Sequence, residues 1–299
     1  MFLTIFTPIY NRSKYVSRLF STLDNQKAKN FEWIIINDGS TDDTENKIKS
    51  KLEEKHDFPI NYIKVENGGK QRAINLAAKI ANGKYFFILD SDDYLLATTT
   101  LTLEKWCKEI EKEPDYNKFA AVSGLIKKDD KQKDKYLSIH LNCEYLDATN
   151  LERDKYHLYG DMAECYKTSI LKKYPFKVFD HENFVTEETV WNRIAADGYK
   201  IRWYMKPIYV GEYHSDGLTR NEIARDIKNY QGLIYATKQA MKLKKFKSKA
   251  HNIIYYAKVS HAKGISYKKA AKKISYPYIE FILLVYCKKA KNCIRNIKE

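Results

Sequence analysis

The sequence predicts an α/β protein with a mostly parallel, Rossmann-like sheet flanked by helices, followed by a helical C-terminal extension. Short apolar, β-rich segments alternate with segments of helical spacing over residues 1–96, which is typical of parallel sheets covered by helices. A strand-like run at residues 85–89 ends in three acids within four residues. Residues 221–299 differ from the rest in charge and repeat apolar residues at helical spacing.

The first 96 residues predict the order β-α-β-α-β-α-β. The predicted strands are short apolar runs at residues 2–7, 31–36, 60–65 and 85–89. The predicted helices lie between them, at residues 11–25, from about 42 to 54, and at 71–81. Further along, helical spacing predicts a helix over residues 97–111, and another apolar run predicts a strand over 119–126. We therefore expect a sheet with helices on its faces.

Three carboxylates follow the predicted strand at residues 85–89. Asp90, Asp92 and Asp93 are interrupted only by Ser91, and clustered carboxylates repel one another unless a cation lies among them. Ligands usually bind at the carboxyl edge of a parallel sheet, and hard oxygen ligands suit Mg²⁺ or Mn²⁺. The turn therefore indicates a divalent cation that would hold a diphosphate. The alternative is an ordinary polar turn with a helix N-cap, since Asp and Ser favour both.

Two other predicted turns carry side chains suited to a ligand. Asp38 follows the second predicted strand and could accept hydrogen bonds from a base or ribose, or form an Asx-turn before Gly39. Lys70 and Arg72 flank the start of the third predicted helix, and a helix N-terminus attracts phosphate. The alternative for both basic residues is a solvated helix start.

Four sequence blocks stand at these strand ends and helix starts. They are residues 7–12 (TPIYNR), 36–42 (INDGSTD), 67–75 (NGGKQRAIN) and 89–93 (LDSDD). Each block alone is a weak signal. In this order and on this strand pattern, they resemble the family 2 inverting glycosyltransferases of the GT-A fold. The resemblance continues less tightly into the second half of the chain.

The resemblance implies a nucleotide-sugar site in the first half of the chain. It implies that Thr7, Pro8 and Tyr10 line the base pocket. Asp38 would read the base and Asp90 would contact the ribose. The same blocks assign the following residues to nucleotide-sugar binding as well: Arg12, Lys70, Arg72, Asn75 and Ser91. The implied cofactor is Mn²⁺ or Mg²⁺, bound by Asp92 with help from Asp93.

The expected catalytic base lies in the second half. Residues 186–195 (TEETVWNRIA) predict a helix with its apolar residues on one face. Members of the resembled family usually carry Glu-Asp at its start, four residues before an aromatic. Here Glu187 occupies the Asp position and Thr186 the Glu position, so Glu187 is the expected base. Glu188 competes for that role, and either acid could instead be a surface carboxylate favoured by the helix dipole.

A polar loop follows at residues 208–220 (IYVGEYHSDGLTR). It resembles the loop that closes over the diphosphate in many bacterial members, particularly those that build capsules. His214 is therefore a candidate metal or phosphate ligand. The alternative is a histidine that is simply exposed in a polar loop.

The basic character of the chain belongs to its C-terminal region. Residues 221–299 hold 19 basic and 4 acidic side chains, so their formal charge of +15 equals that of the whole chain. Helical spacing predicts one helix over 221–242 that packs on the catalytic domain, and residues 278–286 are apolar and flanked by lysines. Such a basic amphipathic segment suits the surface of an anionic membrane. A solvated helical hairpin and a nucleic-acid-binding surface are the alternatives, the latter without any recognised motif.

Composition excludes several other classes. The five cysteines are scattered and contain no Cys-x-x-Cys, which indicates neither a disulfide framework nor a zinc site and fits a reducing cytosol. The apolar start of the chain is too short for a signal peptide. No apolar run reaches the roughly 20 residues that cross a bilayer. We expect a cytoplasmic protein, peripheral on the inner face of the membrane.

The complete prediction is a GT-A catalytic domain at residues 1–220 and a basic helical region at 221–299. The catalytic domain is divided into a nucleotide-sugar half at 1–96 and an acceptor half at 97–220. The predicted activity is metal-dependent, inverting transfer of a sugar from a nucleotide sugar, such as a UDP-sugar, to a saccharide acceptor. A lipid-linked acceptor in bacterial surface polysaccharide synthesis would fit the basic region.

Two other classes remain as alternatives. A sugar nucleotidyltransferase would share the sheet and the acids, but it should have a Gly-rich, Arg-bearing loop where residues 8–12 read PIYNR. A non-catalytic protein that binds membrane or nucleic acid would explain the basic region. It would leave Asp90, Asp92 and Glu187 without a role.

Overall fold

The structure is a computed structural model that describes residues 1–128, 143–212, 221–243 and 246–296. It divides into two compact units. The first unit comprises residues 1–176 and 190–214, and the second comprises residues 177–189 and 215–299. Within the described ranges, no helix is both long enough and apolar enough to cross a membrane.

The first unit is built on one mixed sheet. Its strands are β1 Leu3–Ile9, β2 Phe31–Asp38, β3 Ile60–Val65, β4 Tyr85–Ile88, β5 Tyr94–Leu95, β6 Phe119–Lys128, β7 Tyr145–Ala148, β8 Met162–Lys167 and β9 Lys200–Gly211. Its helices are α1 Val16–Asp24, α2 Thr44–Leu52, α3 Lys70–Ile80, α4 Thr99–Ile110 and α5 Thr168–Lys173, together with most of α6 Glu188–Ala196. The four strands and three helices predicted in the first 96 residues are thereby confirmed, as are those predicted at residues 97–111, 119–126 and 186–195.

The sheet order is β3-β2-β1-β4-β8-β6-β9-β5, with β7 paired to β9. Strands β3, β2, β1 and β4 run parallel, so their carboxyl ends share one edge. Strand β8 is antiparallel to both β4 and β6, whereas β6 and β9 are parallel. The α/β fold class is confirmed, and its regularly parallel part is the half that precedes residue 90.

Alternating side chains of the strands form a core on each face of the sheet. Ile5 and Trp33 belong to one cluster, which packs against α1, α2 and α4. Phe6 and Ile34 belong to the other, which packs against α3, α5 and α6. Because α3 presents buried alanines to the sheet, its backbone can lie close to the strands. This layering holds the loops at the carboxyl edge in place.

The second unit is helical. Its helices are α7 Glu222–Lys228, α8 Tyr230–Leu243, α9 Phe246–Ala262, α10 Tyr267–Lys273 and α11 Tyr278–Asn296. They enclose a separate apolar cluster, in which the rings of Tyr230 and Tyr256 stack with centroids 5.7 Å apart. The Tyr230 hydroxyl donates to that of Tyr256 at 2.9 Å, so the buried polar tips satisfy each other.

The single helix predicted over residues 221–242 is wrong. The chain leaves the helical conformation at Asn229, between α7 and α8. The side-chain Oδ1 of Asn229 accepts hydrogen bonds from the backbone N–H groups of Asn183, at 2.8 Å, and Phe184, at 3.0 Å. Helical spacing continued across this position, but the break lets a buried amide fasten a distant segment.

Candidate active site

The loops after β1 and β2 meet at the carboxyl edge of the parallel strands. Asn11 has a φ of 50°, a left-handed conformation that asparagine tolerates better than most residues. Its backbone N–H donates to the hydroxyl of Ser40 at 3.0 Å, and its Oδ1 accepts from the backbone of Thr41 at 2.8 Å. Asn11 belongs to the first sequence block but was not predicted as a site residue. Its role is to join the two loops.

Asp38 lies at the end of β2 and is almost fully buried. Its carboxylate accepts hydrogen bonds from the backbone N–H groups of Gly68 and Gly69, each at 2.8 Å. Asn67 donates its side-chain amide to the main-chain oxygen of Asp38 at 2.8 Å. Burial raises the pKa of Asp38, opposed by the two N–H groups and by the charge of Arg72. The residue predicted to read the base therefore anchors the loop between β3 and α3.

The start of α3 supplies two cations to this edge. Lys70 is the first residue of α3, and its Nζ lies 2.6 Å from Oδ1 of Asp90. Arg72 donates to the backbone oxygen of Gly68 at 2.6 Å. These positions bring a helix N-terminus and two basic side chains to the loops that carry the acids, an arrangement that favours an anionic ligand.

The turn after β4 separates its acids into different environments. Asp92 lies 3.7 Å from the guanidinium of Arg12. Asp93 points inward, where it accepts hydrogen bonds from the hydroxyl of Tyr209 at 2.8 Å and from the backbone N–H of Glu212 at 2.9 Å. Burial, followed by the charge of Asp90, raises the pKa of Asp93 to about 7. Asp90 and Asp92 are thus the more accessible carboxylates, and Asp93 fastens the turn to the end of β9.

Arg18 is a residue of this site that the sequence did not indicate. From α1 it donates to the backbone oxygen of Asp92 and pairs with Glu212. Its guanidinium lies 5.1 Å from the ring centre of Tyr94. Arg18 sits beside the apolar positions of an amphipathic helix, where an arginine is ordinarily read as solvated. Only the tertiary fold brings it to the acidic turn.

The remaining predicted donor-site residues fall into two groups. Thr7 and Asn75 have engaged side chains. The Thr7 hydroxyl accepts from the indole of Trp33 at 3.0 Å. Asn75 accepts from the backbone N–H of Phe176 at 2.8 Å and donates to its oxygen at 3.0 Å. Residues with exposed or partly exposed side chains at the edge are Pro8, Tyr10 and Ser91.

The two candidate bases belong to the second unit. Glu187 directly precedes α6 and Glu188 is its first residue; both are partly buried. The backbone oxygen of Thr186 accepts hydrogen bonds from the N–H of Thr189 at 3.1 Å and from its hydroxyl at 2.8 Å, which fixes the first turn of the helix. His214 lies outside the described residues.

The accessible acids suit a divalent cation. Over the ranges that the structure describes, no three or more His, Cys, Asp or Glu side chains are arranged as a metal-binding group. Mg²⁺ is commonly held by one or two carboxylates together with substrate phosphates, and it does not require an all-protein cage. Asp92, beside the guanidinium of Arg12, matches that donor set, and Lys70 beside Asp90 adds a second cation to meet phosphate oxygens.

Comparison with known proteins supports this description. Residues 4–177 match the model of "Glycosyl transferase family 2". The chain is 34% identical over 129 residues to glycosyltransferase GlyA of Streptococcus pneumoniae, covering 42% of this chain and 18% of GlyA. It is 25% identical over 203 residues to the GalNAc(5)-diNAcBac-PP-undecaprenol beta-1,3-glucosyltransferase of Campylobacter jejuni, covering 63% and 58% of the two chains. The matched segments thus cover less than two thirds of the length of these relatives.

Solved structures share the fold. Staphylococcus aureus TarS 1-349 in complex with UDP-GlcNAc aligns with a TM-score of 0.64 at 14% identity, over 97% of this chain and 92% of that one. Mannosyltransferase PcManGT from Pyrobaculum calidifontis, in complex with GDP-Man and Mn²⁺, aligns with a TM-score of 0.55 at 19% identity, over 96% and 79%. The predicted GT-A fold is confirmed. Since the family match extends over more than half of the sequence, this chain belongs to glycosyltransferase family 2.

Proposed function

We propose that this protein is a metal-dependent inverting glycosyltransferase that transfers a sugar from a UDP-sugar to a saccharide acceptor. The observation that carries the proposal is the turn after β4, where Asp90 and Asp92 face Lys70 and Arg12. A diphosphate needs both a cation held by carboxylates and basic groups for its remaining oxygens. The TarS complex with UDP-GlcNAc supports a uridine nucleotide.

The loops at the carboxyl edge would bind the nucleotide. Tyr10 exposes nearly half of its surface at the end of β1, so its ring is available to stack on a base. Asp38 keeps one carboxylate edge engaged with Gly68 and Gly69, and the remaining lone pairs would accept from the base. Asp90 would accept from the ribose hydroxyls, exchanging its contact with Lys70 for one with the nucleotide.

Asp92 would hold the Mn²⁺ or Mg²⁺ ion. Such an ion, when bound, stabilises the charge that develops on the leaving diphosphate. The described residues contribute the rest: Lys70 and Arg12 neutralise phosphate oxygens, and Asp93 with Tyr209 fixes the turn on which Asp92 sits. With the metal ion, Lys70 and Arg12 beside them, the acids of this turn would repel one another less.

Glu187 would act as the general base of the transfer. The acceptor oxygen forms a bond to the anomeric carbon while the bond from that carbon to the diphosphate breaks, and the hydroxyl proton passes to Glu187. One displacement inverts the anomeric centre without a covalent intermediate. In this scheme residues 1–220 form the catalytic domain and residues 221–299 an accessory region.

The proposed metal-dependent glycosyltransferase activity is tested by measuring UDP release from a panel of UDP-sugars in the presence of Mn²⁺. We expect slow hydrolysis of one donor, abolished by EDTA and lowered about 10³-fold by Asp92→Ala, which removes the cation ligand. Asp57→Ala, which changes an exposed acid outside the site, is the matched control. Unchanged turnover in Asp92→Ala, or the absence of both turnover and metal-dependent UDP binding, would remove the enzyme assignment.

The accessory region would hold the enzyme against an anionic membrane. Ile279, Leu283 and Tyr286 lie on one face of α11 and expose 74%, 57% and 53% of their surfaces. Exposed lysines on α10 accompany this apolar stripe: Lys268, Lys269, Lys272 and Lys273. Apolar insertion and attraction to anionic headgroups reinforce each other. The name of the Campylobacter relative, which includes undecaprenol, supports a lipid-linked acceptor.

Vesicle flotation tests the membrane proposal. Wild type should bind vesicles that contain phosphatidylglycerol at low salt, and binding should weaken with salt and with neutral phosphatidylcholine alone. The double variant Ile279→Ser, Leu283→Ser should lose most of this binding, whereas Leu101→Ser, at an exposed leucine of α4, should retain it. Equal binding of both variants would argue against the apolar stripe.

A further inference from the structure

The second unit contains a pocket of about 320 Å³. Of the residues that line it, Glu188 alone was predicted as a site residue. Its walls come from the segment before α6 together with the first residue of α6, and from α7, α8 and α9; all of these lining residues belong to this unit. Gly232 of α8 forms part of one wall; a Cβ there would lie 2.7 Å from the backbone oxygen of Phe184. Because glycine permits this approach, the segment that ends in Glu188 lies directly on α8.

The polar groups of the pocket are held in place before any ligand enters. Asp226 is buried, and its carboxylate accepts hydrogen bonds from the guanidinium of Arg225 at 2.8 Å and from the hydroxyl of Tyr255 at 2.7 Å. The guanidinium of Arg225 also lies 3.9 Å from the ring centre of Phe184. Glu222, His251 and Asn252 add further polar groups around this fixed centre.

The lining combines acceptors with aromatic surface. Among the residues that the structure describes around the pocket, three carboxylates, of Glu188, Glu222 and Asp226, accompany one guanidinium, that of Arg225, which is paired with Asp226. Hydroxyl groups form strong hydrogen bonds to carboxylates, and the apolar faces of sugar rings pack against aromatic side chains such as Phe184 and Tyr255. A phosphate or carboxylate ligand would instead meet an excess of negative charge.

We propose that this pocket binds the acceptor saccharide, specifically an uncharged or amino-sugar ring with free hydroxyls, and excludes phosphate-bearing groups. The inference rests on the proposed glycosyltransferase function and adds the chemical class of the acceptor. Its volume matches the lower end of sites for small ligands, which suits one or two sugar rings. Glu188 is then an acceptor-binding residue, which leaves Glu187 as the base.

Binding of simple glycosides tests the pocket directly. Saturation-transfer NMR would be recorded on the full chain with methyl β-glucoside, methyl N-acetyl-β-glucosaminide and chitobiose as neutral probes, and with glucose 6-phosphate and glycerol 3-phosphate as anionic probes. We expect millimolar binding of at least one neutral probe and much weaker binding of the anionic ones. Tighter binding of the phosphates, or binding of no neutral probe, would overturn the proposal.

Two pocket variants, Ala236→Phe and Glu222→Gln, locate that binding, with Lys238→Phe as their control. Ala236→Phe places a ring inside the pocket, and Lys238→Phe places the same ring on an exposed position of the same helix. Ala236→Phe should weaken neutral-probe binding at least about tenfold, and Lys238→Phe should leave it unchanged. Glu222→Gln, an isosteric change at an exposed position that should leave folding intact, should weaken it several-fold. Equal affinity in wild type and both pocket variants would overturn the assignment.

Metal-dependent UDP binding, measured on the same samples, separates the two proposals. If Ala236→Phe loses the saccharide and keeps UDP, the pocket is supported together with the function. If UDP never binds although the neutral saccharide does, the proposed function fails and the pocket stands as a saccharide site. If UDP binds while both pocket variants retain the saccharide, the pocket proposal alone fails.

Discussion

The carboxyl edge of the first unit and the pocket of the second unit both gather acids, but they do so in different ways. At the edge, three acids lie within four residues of one turn, and cations from other loops meet them, as Lys70 meets Asp90. In the pocket, Glu222 and Asp226 come from one helix and Glu188 from another segment, around an internally paired centre. The first arrangement suits a cation with a diphosphate, and the second suits hydroxyl groups. The charge balance of a site therefore says more about its ligand than the presence of acids does.

The largest effect we expect distinguishes the two candidate bases: Glu187 as the general base and Glu188 as an acceptor-binding residue. Glu187→Gln should lower kcat for transfer about 10²- to 10⁴-fold, since the amide cannot accept the hydroxyl proton. Glu188→Gln should mainly raise the acceptor KM, because it removes a carboxylate acceptor from the pocket and not the base. The measurement is steady-state transfer to a neutral glycoside with UDP-sugar in excess.

The pair of variants is its own control, because both change one glutamate to its amide at adjacent positions. Background UDP-sugar hydrolysis should respond less than transfer in both. A loss of kcat confined to Glu188→Gln would exchange the roles and make the pocket carboxylate the base. Equal kcat and KM in both variants and wild type would leave neither residue in the reaction.

The next effect concerns how the edge is built. Asp38→Ala should lower the free energy of unfolding by about 2 kcal/mol, because the N–H groups of Gly68 and Gly69 lose a charged acceptor. Urea denaturation measures this, and Asp57→Ala should change it by less than about 0.5 kcal/mol, as a surface substitution does. UDP affinity should fall along with stability. A variant as stable as wild type would show that the carboxylate does not hold the loop.

A smaller effect concerns how the pocket is built. Asn229→Ala removes the acceptor of the N–H groups of Asn183 and Phe184, so we expect a loss of about 1 kcal/mol and weaker binding of neutral saccharides. UDP binding should stay unchanged. Asn221→Ala is the control, since that residue precedes α7 without a side-chain capping bond. Intact saccharide binding in Asn229→Ala would mean that Phe184 is not needed as a wall.

Local sequence patterns predicted the edge much better than the pocket. The strands up to β4 are compact apolar runs, and their polar ends are contiguous in the sequence, so both period and motif indicated them. By contrast, β9 contains Arg202, Lys206 and Pro207, which interrupt the apolar pattern, and it was not predicted. The hydroxyl of Tyr209 in that strand holds Asp93 from 116 positions away. No local signal relates two such residues.

The pocket had still less local signal. Its residues come from the loop before α6, from the first residue of α6, and from α7, α8 and α9, so no single stretch of the sequence contains them. The break at Asn229 was missed because helical spacing describes the faces of helices but not a side chain that caps another segment. The same limit applies to Arg18, whose partners are the acidic turn and the end of β9.

The smallest effect tests whether pH changes the stability of the first unit through a histidine that lies outside the acidic turn after β4. His56 hydrogen-bonds to the carboxylate of Asp24 at 2.8 Å and to the backbone oxygen of Lys51 at 2.9 Å. Burial lowers the pKa of His56, but these two hydrogen bonds outweigh it and raise the pKa above its usual value. The folded state therefore binds the proton more tightly than the unfolded chain, so His56 adds stability below the ordinary histidine pKa of about 6.5.

That contribution should disappear as the pH rises through the raised pKa. His56→Ala should lose more stability at about pH 5.5 than at about pH 8.5, by less than about 1 kcal/mol because Asp24 is exposed. Asp24→Asn should remove most of the pH dependence, and the double variant should resemble His56→Ala. Since both residues belong to the first unit, saccharide binding by the pocket should be the same in all four proteins. A pH-dependent loss of saccharide binding in His56→Ala would show that the stability of the two units is coupled.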